Sequence, residues 1–275
     1  MQTEALIAIT NLWADRVRSG WLTHIEAWFL LMWCIMKTLE YPLMATSLSQ
    51  KQCDEIMKPI LDAGLAALGI SRTMNSDVVY GPRRSQGVGI PDLWLLQGIL
   101  KLWITVAHGD AATITGSSLR AVLALHTIEL GLPGSFLLHN YDKYSHLATN
   151  TWLKNLWHFC HQSNIQLKPS SPPIPLARQN NVFLMVAFSQ MGYQDEDLYH
   201  LNLCRLWCHS ICLSDICTGD GLRIHPIVWN GHSPDDAGCE FEWPSHGCPT
   251  PKCWQLWQVA IRRCFLTTQT PQQIL

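Results

Sequence analysis

A mainly α-helical fold is what the sequence predicts, with a longer helical region over residues 1–167 and a smaller helical part with an irregular segment over 182–275. Two observations carry that reading. Apolar side chains recur at three- and four-residue spacing through most of the chain, which is the period of one helix face. Gly, Pro or a capping residue closes nearly every such run, so the runs are separate helices joined by turns.

Leu6, Ile9, Leu12, Trp13 and Val17 give an amphipathic first helix from Thr3 to about Ser19, stopped by Gly20. A second helix, from about Leu22 to Leu39, is apolar almost all round and needs cover on most sides, until Tyr41-Pro42 biases the chain out of helix. Ser49 and Gln52 have capping-box spacing, which predicts a helix from Gln50 to about Ala63 with Pro59 as a kink or early stop. The run YGPRRSQGVGIPDL, 80–93, holds three glycines and two prolines and reads as a loop.

Asp92 then caps a helix from about Leu93 to His108, and Gly109 stops it. Thr115 is the expected cap of the next, Gly116 to Leu130, which Gly131 ends. Asn150 caps a third, Thr151 to about Gln162. The Pro- and Ser-rich segment 168–181 reads as the linker between the two parts. Beyond it the expectation is a helix from about Val182 to Met191, a longer one from about Glu196 to Leu213, an irregular stretch 219–250 with a short strand at 223–228, and a closing helix that Pro251 opens.

Charged residues make up 15% of the chain, against the usual quarter, so part of the surface is expected to lie against a partner. The balance of 19 basic and 21 acidic residues carries no electrostatic footprint of a free-standing nucleic-acid binder. Eleven cysteines with no secretory leader read as reduced thiols in a cytoplasmic or nuclear protein. The most apolar run, AWFLLMWCIM at 27–36, is shorter than the roughly 20 residues that cross a bilayer, so no membrane is expected.

Chemistry-bearing clusters are few. Cys204, Cys208 and Cys212 fall at i, i+4 and i+8 of a predicted helix, where thiols pack as small apolar groups rather than forming zinc hooks. Cys248 and Cys253, with His246 and Cys239 nearby, have the loop setting and spacing of a zinc hook, but its companion is not evident; zinc is not expected, and folded thiols are the preferred reading. His158, Cys160 and His161 point different ways on one helix and make no triad. The acids of YQDEDLYH complement a helix N-terminus. Arg72, Arg83 and Arg84 are the candidates for nucleic-acid backbone contact, against the plain alternative of ordinary loop arginines.

Several segments taken in order carry a resemblance: MKTLEYPLMATSLSQKQCDEIMKPILDAGLAALGI, YGPRRSQGVGIPDLW, ITGSSLRAVLALHTIELGL, LATNTWLKNLWHFC, LCRLWCHSICLSDICTGDG and EWPSHGCPTPKCWQLWQVAIRRCF. Together they resemble the region after the polymerase palm in retrotransposon-encoded reverse transcriptase polyproteins of single-celled eukaryotes, from about Ala8 to Phe265. The resemblance implies a thumb-like and connection region of an RNA-directed DNA polymerase, with the palm of the same polyprotein and an RNA–DNA or DNA template–primer as partners. It also implies that the Mg2+ ions of catalysis belong to that palm. This chain has no paired-aspartate palm motif, since YQDED separates Asp195 from Asp197, so no catalytic residue is assigned and no polymerase activity is expected of it alone. Where the family tends to have WP-Q-GRP, this sequence reads WPSHGCP. Two further readings are a retired element fragment reused as a protein-interaction scaffold and a small zinc-stabilised C-terminal module.

Overall fold

The computed structural model describes residues 2–132, 134–167, 181–231 and 248–268. Helices dominate it, as the periodicity predicts, and the described residues contain two isolated β-bridges, Phe183 with Cys212 and Cys217 with Ile224, but no strand. Contacts divide the chain into two units along lines that differ from 1–167 and 182–275. The first unit is Met1–His108 with Thr151–Asn164; the second is Gly109–Asn150 with Ile165–Leu275. Most of the segment read as a linker, 168–180, lies outside the described residues.

In the first unit, α1 (Gln2–Ser19) ends at Gly20 as expected. Thr23 and Glu26 form a reciprocal capping box that starts α2 (His24–Phe29). The helix then widens into a π-helical stretch, Leu30–Ile35, and continues as α3 (Met36–Leu43). Pro42 therefore lies inside the helix rather than ending it. The ring removes one backbone donor, a loss that the burial of Met36, Leu39 and Leu43 outweighs, and the Pro42 carbonyl accepts from the Ala45 and Thr46 amides to close the helix.

The Ser49–Gln52 box is formed, and α4 (Gln50–Ala67) runs through Pro59 for two further turns. Ile56, Met57, Ile60 and Ala63 are buried on this helix, which packs along α1, and that burial outweighs one absent hydrogen bond. Short α5 (Ser76–Tyr80) leads through the glycine loop to α6 (Leu93–His108), whose Leu95 amide donates to Asp92. In the second unit α7 (Ile114–Leu130) starts two residues before the expected position. Its cap is Thr113, which accepts from the Gly116 amide, and not Thr115. After α8 (Tyr141–Tyr144), α9 (Thr151–Gln162) returns to the first unit. There α6 and α9 approach so closely that a Cβ on Gly98 would sit 2.2 Å from the Phe159 ring.

The second unit is built on α7 and on α10 (Leu184–Gln190), α11 (Asp195–Trp207), α12 (Pro226–Asn230) and α13 (Pro251–Thr268). Leu184, Met185, Phe188, Leu201, Trp257 and Ile261 form the core between α10, α11 and α13. Two expectations are corrected here. α11 stops at Trp207, because His209 takes a left-handed turn, φ 52°, so Cys212 is not on the helical face with Cys204 and Cys208. The strand expected at 223–228 reduces to a bridge at Ile224, and Pro226 opens α12 instead. Fully buried Arg205 donates to the carbonyls of Ile128 and Ser210, while Asn202 donates to those of Glu129 and Leu130. Together they satisfy the orphan carbonyls at the end of α7 and set a positive group at the negative end of its dipole.

Candidate functional site

The loop after α5 is shaped by backbone approach. A Cβ on Gly87 would lie 2.0 Å from the Gly81 carbonyl oxygen, so only glycine fits there. The Val88 and Ile90 amides donate to the Val78 and Val79 carbonyls, which fold the loop back on α5. Between these anchors Arg83–Ser85 form one 3-10 turn, closed by Gln86 at φ 65°, and present Arg83 and Arg84 on the outside.

Arg83 reaches across to α2. Its guanidinium carbon lies 3.9 Å from the centroid of the Trp28 ring, a cation–π stack, and its Nε donates to the Val88 carbonyl at 3.4 Å. Trp28, Met32, Trp33, Lys37, Arg83 and Gly89 line a groove of about 340 Å3. Lys37 is held by Glu40 in an exposed pair of small worth, so a phosphate can compete for it. Trp33, within the π-helical stretch, is 63% exposed, and Ile25, Phe29 and Tyr41 are exposed along the same continuous helix. Widened helical turns of this kind recur at functional sites.

Arg72 is not brought to that groove. It lines a second one of about 310 Å3 together with Asp54, Lys58, Asp62 and Tyr80. Burial and the neighbouring Asp92 raise the Asp54 carboxyl above its ordinary value, and the carboxylates around Arg72 disfavour a phosphate. The structure therefore groups Arg83 and Arg84 and separates Arg72. The sequence reading missed Trp28, Trp33 and Lys37, whose signal was the unrelieved apolar character of the second helix.

The first unit also holds a buried polar network that sequence reasoning missed. Gln97 of α6 accepts from the Leu48 amide and donates to the Leu48 carbonyl, while Asn155 of α9 donates to the same carbonyl and Trp152 donates to the Met44 carbonyl. Lys101, fully buried, donates to Ser47 and Asn155 and lies 5.2 Å from the Trp152 ring centroid. Burial lowers its pKa from 10.5 to about 7, and the neighbouring Cys53 acts in the opposite direction. The network pins the 44–48 turn between α6 and α9, which fixes the end of the exposed helix.

For the metal candidates, Cys239 and His246 lie outside the described residues. Cys248 is exposed, and Cys253 is buried in the first turn of α13, 3.4 Å from His200 Nδ1. Among the described residues no three or more His, Cys, Asp or Glu side chains are placed to hold a metal ion. Cys204, Cys208 and Cys212 are buried in the core, and burial raises all three thiols, Cys208 to about 12 and Cys212 to about 11. No described helix is long and apolar enough to cross a membrane. Comparison with known protein families, curated proteins and solved structures gave no match.

Proposed function

We propose that this chain is a non-catalytic segment of a retroelement reverse transcriptase, which supports the polymerase palm and contacts the template–primer backbone in the cytoplasm or nucleus. The observation that supports it is the cationic and aromatic groove at Arg83, beside a helix face of exposed apolar side chains. Arginine and lysine beside tryptophan faces are suited to a nucleic-acid strand, with phosphates on the cations and bases or sugars on the rings. The exposed apolar residues of α2 and α3 suit a protein neighbour, and the resemblance in sequence makes that neighbour a palm.

Fluorescence anisotropy with a labelled RNA–DNA hybrid over a salt series tests the reading. Binding that weakens with salt, with R83A and R84A each lowering the log–log salt slope by about one, is the expected result. R72A should leave the slope unchanged. Salt-independent binding, or a slope indifferent to R83A and R84A, would remove the nucleic-acid role. If the chain then still binds an isolated palm domain and loses it on W33A, the same exposed face favours the scaffold reading. The chain alone, given Mg2+ and nucleotides, should extend no primer.

A further inference from the structure

Cys253 stands apart from the other thiols by what touches it. It occupies the third position of α13, where Thr250 caps the helix and the Thr250 hydroxyl lies 3.0 Å from the sulfur. His200 of α11 brings Nδ1 to 3.4 Å from Cys253 Sγ. On its other side His200 Nε2 lies 3.7 Å from Glu196 Oε1, one helical turn earlier on the same face. The order thiol, imidazole, carboxylate is a nucleophile beside a base that a third group orients. The first turn of an 18-residue helix adds positive potential at the sulfur.

Access sorts the reagents. Cys253 is 4% exposed, while the His200 side chain is 29% and the Glu196 side chain 86% exposed. The imidazole thus links a covered sulfur to solvent, an arrangement for a small reactant rather than for a peptide or a bulky electrophile. No part of the proposed nucleic-acid surface takes part, so the two readings stand or fall separately.

We propose that Cys253 is a peroxide-reactive thiol, activated by His200, with Glu196 as positioning residue. The Cys253 proton passes to the imidazole, and the thiolate attacks one oxygen of hydrogen peroxide. An S–O bond forms as the O–O bond breaks, and the leaving hydroxide takes the imidazolium proton to become water. Cysteine is oxidised by two electrons to the sulfenic acid, peroxide is reduced to water, and the imidazole returns to its neutral form.

The test exposes the folded 275-residue chain to hydrogen peroxide for increasing times, then denatures it and alkylates every remaining thiol with iodoacetamide. Peptide mass spectrometry reads the loss at each cysteine. Cys253 should be lost about tenfold faster than buried Cys204, Cys208 and Cys212, and faster than exposed Cys34 and Cys248 despite its burial. H200Q should bring Cys253 to the rate of the buried group, and E196Q, a surface change, should slow it by about two- to threefold. In the unsubstituted protein, loss of Cys253 no faster than Cys204 would overturn the proposal whether or not H200Q folds. A folded H200Q that keeps the fast rate would overturn it as well.

Discussion

At the scale of single residues, close approach decides more than composition does. Gly87 sits where a Cβ would meet the Gly81 carbonyl at 2.0 Å, so G87A must push the loop off α5. The expected cost is about 2 kcal/mol or more in a urea titration, the range of a forced backbone shift. Because the turn carrying Arg83 and Arg84 hangs on that approach, G87A should also weaken hybrid binding in proportion to its loss of the Arg83–Trp28 stack. A double-mutant cycle of R83A and W28A, measured with and without G87A, offers a direct check, since an unchanged coupling in G87A would show that the turn holds without the glycine.

Between helices, α6 offers a case where propensity and packing have opposite signs. Gly in a helix interior costs roughly 1 kcal/mol relative to Ala, so propensity alone predicts that G98A stabilises. The structure places the Phe159 ring 2.2 Å from the added methyl, and a well-packed interior does not yield that distance without shifting α9. Overpacking costs of 1–3 kcal/mol are typical, so G98A should destabilise by about 2 kcal/mol. A higher melting temperature for G98A would contradict the α6–α9 packing. The start of α7 is tested by two caps: T113A should cost about 1 kcal/mol, and T115A, inside the first turn, only a few tenths. Equal losses would mean the helix starts elsewhere.

For the whole molecule, buried titratable groups set the pH dependence of stability. Lys101 has a folded pKa lowered from 10.5 to about 7, so from pH 7 upward the unfolded chain holds more protons and stability rises. Buried thiols act in the opposite sense. Burial raises Cys53 and Cys208 to about 12, and Cys160, Cys212 and Cys264 to about 11, from 9.0, so above pH 9 the folded chain holds protons that the unfolded chain has lost, and stability falls. Arg205, lowered to about 9 by burial, opposes this as one group against several. The unfolding free energy from urea titrations should therefore climb between pH 7 and 9, by up to about 1.4 kcal/mol per pH unit, and decline beyond. K101M should flatten the climb and leave the decline; a climb that survives in K101M would show that Lys101 is not its source.

How much of this was legible in the sequence depends on range. The amphipathic period of α1, the Ser49–Gln52 box, the Asp92 cap of α6 and the Gly131 stop of α7 are interactions within one or two turns, so neighbouring residues determine them. The same locality made the loop at 80–93 and the pairing of Arg83 with Arg84 visible. Local rules failed where distant burial overrode them: Pro42 and Pro59 were kept inside helices, and the His209 turn cut α11 short although its apolar pattern continued. Which cations share a groove was decided by folding alone, since Arg83 meets Trp28 and Lys37 across some fifty residues of chain, while Arg72, nearer in sequence, faces carboxylates. The burial of Lys101 and the meeting of His200 with Cys253 belong to the same class. By itself the sequence determined helices, their caps and the loops between them, because those energies are short-range; only the tertiary structure decided which side chains meet, because that depends on close packing among elements far apart in the chain.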